Sequence, residues 1–223
     1  MTDTYEKPDV MVDVVPLMLR GERLCTVLAM RAKEPFMGRP ALLGGYVHLP
    51  EDSSLGATAR RVLLEKAGIQ GLYVEQLSTF SGPDRDPRGW SVSVAYFSIV
   101  PEEAIDDVLM RPDLQIVPVE EAVGLPFDHD LIISAAVARV RGKGAYSDIP
   151  ARFLPAEFSL GELHRTYEAV LAERIDESAF RRKLMERDFV ERIEGLTKTV
   201  EGAKRPSQVY RLRPGLSVFD RRF

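Results

Sequence analysis

The sequence predicts an α/β domain over residues 1–149, followed over residues 150–223 by a smaller helical module that ends in a hairpin. Three observations carry this. Apolar, β-branched runs alternate with runs of helical period up to about residue 141. A polar stretch with two glycines and a proline, residues 141–150, then forms a candidate linker. Finally, the charge changes sign: residues 1–150 carry 15 Lys/Arg against 22 Asp/Glu, whereas residues 151–223 carry 15 against 12. An acidic front and a basic tail point to modules with different partners, although the whole chain has a net charge of only −4.

The elements follow in order. Residues 10–19 and 24–30 are apolar strands, separated by the polar turn Arg20-Gly21-Glu22-Arg23. Residues 41–47 make a short strand with a glycine pair. Residues 53–67 form a helix, with Leu55, Ala59, Leu63 and Ala67 at steps of four and Gly68 as its stop. Residues 73–80 and 91–100 are strands around a polar loop, residues 102–109 a short helix, residues 115–119 a strand, and residues 130–141 an apolar helix. Beyond the linker, Ser159 caps a helix and Glu162 completes a capping box. Asp176 caps a second helix anchored by Phe180 and Leu184, and residues 189–196 and 208–212 pair as the hairpin.

Composition narrows the function classes. The chain is 45% hydrophobic and 29% charged, as in soluble globular proteins. No run approaches the ~20 apolar residues of a membrane span, and the polar start MTDTYEKPDV has no apolar signal core. The expected location is the cytoplasm, with no membrane partner. The single cysteine, Cys25, excludes an internal disulfide and a Cys-rich zinc site, and its apolar neighbours make it a buried strand residue.

Residues 45–69 resemble the Nudix box, G-x5-E-x7-R-E-U-x-E-E-x-G-U with U aliphatic. Gly45, Glu51, Arg61, Glu65, Gly68 and Ile69 match it. The chain departs from it in three places: nine residues separate Glu51 from Arg61, Val62 stands for the first helix Glu, and Lys66 stands for the last. In this family the carboxylates at i, i+3 and i+4 share a helix face and hold Mg²⁺ against a diphosphate. The resemblance therefore implies a catalytically degenerate site that needs no metal, with Lys66 offering its ammonium to phosphate.

A second set of segments is more specific. Glu75-Gln76-Leu77-Ser78-Thr79-Phe80, Arg85-Asp86-Pro87-Arg88-Gly89-Trp90, the strand through Tyr96, and Phe127-Asp128-His129 resemble the Nudix-related transcription regulators of NAD metabolism. So do Phe158-Ser159-Leu160-Gly161-Glu162-Leu163 and Arg205-Pro206-Ser207-Gln208-Val209-Tyr210-Arg211-Leu212. The resemblance implies a Nudix α/β/α sandwich with a mixed sheet, followed by a winged helix-turn-helix. It also implies a homodimer on a palindromic DNA operator, acting as a repressor, with ADP-ribose or a related nucleotide as effector and no required cofactor.

The candidate effector residues are Arg31, Arg39, Gly45, Arg85, Asp86, Arg88, Tyr96 and His129. Arginine forks suit phosphate oxygens, and aromatic rings suit a base. By residue type alone, a structural salt-bridged loop accounts for Arg85, Asp86 and Arg88 equally well. The candidate DNA-binding residues are Arg181, Arg182 and Lys183 on the second helix, with Lys198, Lys204 and Arg205 about the hairpin turn. Two rivals stay open: an active Mg²⁺-dependent hydrolase of ADP-ribose or another nucleoside diphosphate, and a regulator responding to a different sugar or sugar phosphate.

Overall fold

The computed structural model describes residues 7–70, 73–104, 108–199 and 205–222. The chain divides into two compact units. One comprises residues up to Leu17 with Cys25–Ile99 and Ala104–Ala136; the other comprises Met18–Leu24, Val100–Glu103 and the chain from Val137 onward.

The first unit is built on a mixed sheet. Strands β1 (Asp9–Arg20), β2 (Arg23–Met30), β3 (Pro40–Ala41), β5 (Tyr73–Gly82) and β6 (Ser91–Ile99) run in the order β3-β2-β1-β6-β5. Strand β4 (Leu43–Tyr46) pairs antiparallel with β1, and β7 (Leu114–Pro118) pairs antiparallel with β2. The central pair, β1 and β6, is parallel from Asp9↔Ser91 to Leu17↔Ile99. One edge of β1 holds β6, so β4 and β2 must share the other, and the sheet forks there. The apolar residues of β1 explain its central place: Val12, Val14, Val15, Leu17 and Met18 are all fully buried.

Helix α1 (Leu55–Ala67) packs on β4, β5 and β6. Ser54 accepts from the Ala57 amide at its start, and Gly68, at φ 72°, ends it in the left-handed conformation that glycine adopts without a Cβ clash. Thr58, Ala59, Val62, Leu63 and Ala67 form its buried stripe, which is the helical period seen in the sequence. Of the helix expected over residues 102–109, Glu102–Ala104 form a 3₁₀ turn and residues 108–109 are helical, while residues 105–107 lie outside the described residues.

Helix α2 (His129–Gly144) buries Ile132, Ile133, Ala136 and Val140. It corrects the expected linker. Residues 141–144 are helical, and Ala145, Ser147, Asp148, Ile149, Pro150 and Ala151 are buried. The glycine and proline that read as flexible serve packing instead. A Cβ on Gly144 would stand 3.0 Å from Pro150 Cγ and 3.3 Å from Leu171 Cδ2, tighter than most real contacts, so glycine eases that approach. The Tyr167 hydroxyl donates to Ser147 O at 2.9 Å and fastens the same segment.

The second unit follows the predicted helix-turn-helix and hairpin. Helix α3 (Leu160–Leu171) carries the full capping box: Glu162 N donates to Ser159 Oγ at 3.2 Å and Ser159 N donates to Glu162 Oε2 at 2.7 Å. Helix α4 (Glu177–Arg187) starts at Asp176, whose carboxylate accepts from Ala179 N at 2.7 Å. Strands β8 (Phe158–Ser159), β10 (Ser207–Leu212) and β9 (Val190–Lys198) form a small antiparallel sheet in that order. Phe158, Leu163, Tyr167, Leu171, Phe180, Leu184 and Phe189 make the core, with Phe180 edge-on to Tyr167 at 5.3 Å and to His164 at 5.0 Å. Phe180→Ala should therefore cost about 3–5 kcal/mol of stability. Urea unfolding followed by circular dichroism should show a lower midpoint at unchanged slope.

Candidate functional site

The fork in the sheet opens a cavity of about 520 Å³ in the first unit. Its wall comes from β1 (Met11, Asp13), β2 and the loop after it (Met30 to Glu34), β4 (Gly44, Gly45, Tyr46), α1 (Glu65, Lys66), Phe127 and, two residues on, His129 at the start of α2.

A buried polar cluster forms its floor. The Arg85 guanidinium donates from Nε to Asp128 Oδ2 at 3.0 Å and from Nη2 to Asp128 Oδ1 at 2.8 Å. It also reaches Ser91 Oγ at 3.1 Å and Asp13 Oδ2 at 3.5 Å. Asp13 accepts from Ser93 Oγ at 2.6 Å. Burial works against the Arg85 charge, but hydrogen bonding to Asp128 and the nearby carboxylates more than offset it and raise its pKa. Arg85 is thus saturated and positions the floor, the structural reading left open by its residue type.

His129 is also buried here. Its Nδ1 accepts from Leu42 N at 3.0 Å, which puts the ring proton on Nε2, 3.7 Å from Asp13 Oδ1. Burial lowers the His129 pKa, with Asp13 and Asp128 opposing. Gly44 is glycine for a local reason: a Cβ there would fall 2.1 Å from Asp13 Oδ1.

The cavity gathers cations. Arg31 stands over the Phe127 ring at 4.8 Å, and its pKa is lowered by burial and then by the charge of Arg88. Arg88 is held by Asp86, with Nη2 to Oδ2 at 2.6 Å and Nε to Oδ1 at 3.0 Å, and this pairing raises its pKa. Lys66 faces the open cavity, where protein on several sides desolvates it and lowers its pKa, against the pull of Asp13. The ammonium groups of Lys33 and Lys66 make no hydrogen bond or ion pair with a described residue. Arg31 donates only to the Pro35 and Lys33 carbonyls, so its charge too has no carboxylate partner among the described residues.

The predicted site residues divide accordingly. Arg31, Gly45, Arg85, Arg88 and His129 line the cavity; Arg39, Asp86 and Tyr96 do not. Arg39 stacks on Phe36 at 5.7 Å and donates to Gly124 O, bracing the loop after β2. Asp86 is buried beneath Arg88. Tyr96 is misplaced by strand parity: Ser91 and Ser93 of β6 face Arg85 and Asp13, and alternation turns Tyr96 to the opposite face. Its hydroxyl meets Gln76 Oε1 at 3.4 Å instead.

The candidate site residues left out Asp13, and also Phe127 and Asp128, although both stood in the segment quoted for the resemblance. Asp13 was legible as a lone acid inside an apolar strand. Phe127, at φ 58°, and Phe36, at φ 65°, are non-glycine residues in the left-handed region, and their rings meet edge-on at 5.1 Å. Such conformations cost about 1–3 kcal/mol each and persist where packing over-determines them.

The box also rearranges. Arg61 pairs with Asp52 rather than Glu51, donating from Nε at 2.9 Å and from Nη2 at 2.7 Å, and with Glu65 at 3.1 Å. Arg61, helped by the His48 amide and the Thr58 hydroxyl, holds the Asp52 carboxyl well below the usual carboxylate range. Glu51 is exposed and meets His48 Nδ1 at 3.2 Å. Val62 is buried, and its Cγ2 lies 3.0 Å from where a Gly45 Cβ would be. Glu65 is the one acid of the three helix positions in the cavity wall. A hard divalent cation needs several oxygen donors, and Glu65 beside an ammonium does not fit one. No group of three or more His, Cys, Asp or Glu placed to hold a metal occurs among the described residues, and no helix described is long and apolar enough to cross a membrane.

In the second unit, the basic residues of α4 and the hairpin are unequal. Arg181 pairs with Glu177 at 2.7 Å, and Lys183 Nζ donates to Arg222 O at 3.2 Å. Lys198 pairs with Glu162 at 3.0 Å and donates to Glu157 O at 3.3 Å, so it fastens β9 to the capping box of α3. Arg182 and Arg205 are exposed and make no ion pair or hydrogen bond with a described residue. Lys204 lies outside the described residues.

The profile of the NrtR DNA-binding winged helix domain matches residues 150–212. The chain is 35% identical over 210 residues to the ADPR responsive transcriptional repressor NtrR of Acinetobacter baylyi, covering 93% of this chain and 83% of that protein. The chain belongs to the NrtR family of transcriptional regulators. Shewanella oneidensis NrtR, crystallised with a 27mer DNA, superposes with a TM-score of 0.88 at 32% identity, over 96% of this chain and 99% of that one. The NUDIX domain of the same protein, crystallised with ADP ribose, superposes at 0.54 and 32% identity, over 60% of this chain and 90% of that domain. The two units of this family member are thus a Nudix-like α/β domain with a mixed sheet and a winged helix. An ADP-ribose pyrophosphatase of Methanocaldococcus jannaschii is 31% identical over 110 residues, 48% of this chain and 62% of that enzyme.

His129 supplies a pH test. Its lowered pKa means that the folded state prefers the neutral ring. This contribution is complete above the ordinary imidazole pKa of about 6.5 and is lost as pH falls through the lowered folded value. Thermal melts between pH 7 and pH 5 should show a decline in the wild type that is flatter in His129→Asn.

Proposed function

We propose that this chain is a DNA-binding transcriptional repressor of NAD-related metabolism whose Nudix-like domain senses ADP-ribose or a closely related nucleotide without hydrolysing it. The observation that carries this reading is the unpaired Lys66 ammonium in a cavity where Glu65 is the only helix-box acid. A fixed ammonium attracts a diphosphate as a metal does, but it supplies no activated water and no second cation for the leaving oxygen. The relatives named for regulation support the same reading.

In this proposal residues 1–149 form the effector domain and residues 150–223 the DNA-binding domain. Lys66, Arg31 and Arg88 meet the phosphates, Gly45 and His129 shape the wall, and Arg85 holds the floor. Arg39, Asp86 and Tyr96 act as supports. Arg182 and Arg205 contact DNA phosphates directly, with Arg181, Lys183, Lys198 and Lys204 adding positive potential. The protein works as a homodimer in the cytoplasm, reading a palindromic operator whose half-sites lie about one helical turn apart. Effector releases DNA only by binding one arrangement of the dimer better than the other.

Isothermal titration of ADP-ribose should show binding that Lys66→Ala weakens about tenfold, equivalent to ~1.4 kcal/mol, at an unchanged melting temperature. Added ADP-ribose should release a promoter duplex in a mobility-shift assay. Glu65 and the pyrophosphatase likeness favour the rival hydrolase, and Mg²⁺-dependent turnover of ADP-ribose near ~1 s⁻¹, within the ordinary enzyme range, would establish it. Stronger binding of another nucleotide or sugar would replace the effector named here.

A further inference from the structure

Beyond the matched winged-helix domain, which ends at residue 212, the chain continues along the second unit. Arg213 N donates to Phe189 O at 2.9 Å, and its guanidinium pairs with Asp188 at 3.1 Å and Glu191 at 3.4 Å. Val218 then forms a bridge with Ser147, while Asp148 N donates to Ser217 O at 3.0 Å and Phe219 N donates to Tyr146 O at 2.7 Å. The Phe219 ring packs on Phe189 at 5.1 Å, and the Arg187 guanidinium stands over its face at 4.4 Å. The tail is therefore a built part of the module, tied to it by backbone hydrogen bonds and an aromatic anchor.

Its last residues lie along α4. Arg187 Nη2 donates to Arg221 O at 2.7 Å and to Arg222 O at 3.2 Å, and Lys183 Nζ donates to Arg222 O at 3.2 Å. Lys183 and Arg187 are one turn apart on a single face of α4, and both commit donors to the tail's carbonyls. Arg222 pairs with Glu173. Arg221 is exposed, and its guanidinium makes no hydrogen bond or ion pair with a described residue. The flank of α4 thus exchanges two engaged cations for one that is free.

We propose that the C-terminal tail is a third DNA-contacting element, beside α4 and the hairpin, and that Arg221 binds a phosphate of the duplex while the tail's carbonyls hold α4 through Lys183 and Arg187. This rests on the DNA-binding reading above. Where α4 enters the major groove, as the second helix of a helix-turn-helix does, an arginine whose backbone is tied to the flank of that helix can reach the phosphates along the groove's edge.

The test is the salt dependence of binding by the full-length protein to a duplex of about 30 base pairs carrying its own promoter, and to a scrambled duplex of the same length. Each neutralised phosphate contributes about 0.9 to the slope of log K against log salt. Arg221→Ala should lower the slope by about that amount on both duplexes and weaken binding about fivefold at 0.15 M salt, at an unchanged melting temperature. Arg221→Lys should restore the slope. Removing residues 221–223 should weaken binding more than Arg221→Ala, because α4 loses its tethers as well. Wild-type binding with the same slope and affinity in Arg221→Ala overturns the tail's role and leaves the DNA-binding reading intact. Failure of the wild type to bind either duplex overturns both.

Discussion

Arg85 enters the interior of the Nudix-like domain with its charge intact, and the cavity's floor depends on how that charge is met. Asp128 takes it with two hydrogen bonds, and Ser91 and Asp13 take the rest. Through it the loop after β5, strands β1 and β6, and the entry to α2 share one fixed point. A buried pair of this kind adds little net stability compared with apolar packing, but losing one partner is severe, about 3–5 kcal/mol, because a charge is left unpaired. Its value lies in position: Asp13 and His129 are held where they can shape a cavity.

A second principle runs through both domains. Basic residues count for ligand binding only where their charge is not already neutralised. Arg85 and Arg61 are neutralised by carboxylates, Arg88 partly so by Asp86, whereas Lys33 and Lys66 in the cavity have no partner among the described residues. On the winged helix, Arg181 and Lys198 are engaged, whereas the side chains of Arg182, Arg205 and Arg221 have no partner among the described residues. Exposed ion pairs are worth little in themselves, with a typical range of about 0–1 kcal/mol. They still lower the charge available to a phosphate, so a count of lysines and arginines overstates an anion-binding surface.

The box shows how a small change of spacing is absorbed. With nine residues between Glu51 and Arg61, the arginine meets the neighbouring Asp52, and Glu51 is left exposed. Val62 is buried and packs so close to Gly45 that a side chain at that glycine would crowd it, and the position offers no carboxylate to a metal. The irregular spacer was visible in the sequence. Which acid would answer Arg61 was not, because a loop between a strand and a helix sets that distance in space and not by counting.

Period, turn chemistry and composition in the sequence determined an α/β domain followed by a helical module with a hairpin, the Gly68 stop of α1, the Ser159 and Asp176 caps of α3 and α4, and the division into an acidic and a basic half. These are local matters, written within a few residues of one another, and the Nudix and winged-helix folds and the two missing helix acids were legible only through the family resemblance. Residues 141–150 misread as a linker because glycine and proline look alike in a flexible tether and in a tight contact such as Gly144 against Pro150. Only the tertiary structure decided that Arg85 is a buried support, that Tyr96 faces away from the cavity, that Asp13 lies under it, and which cations are free. Those outcomes depend on strand parity across β1 and β6 and on partners far apart in the chain, such as Arg85 with Asp128 and Arg187 with Arg221. A side chain's charge is set by its neighbours in space, and those neighbours exist only once the chain has folded.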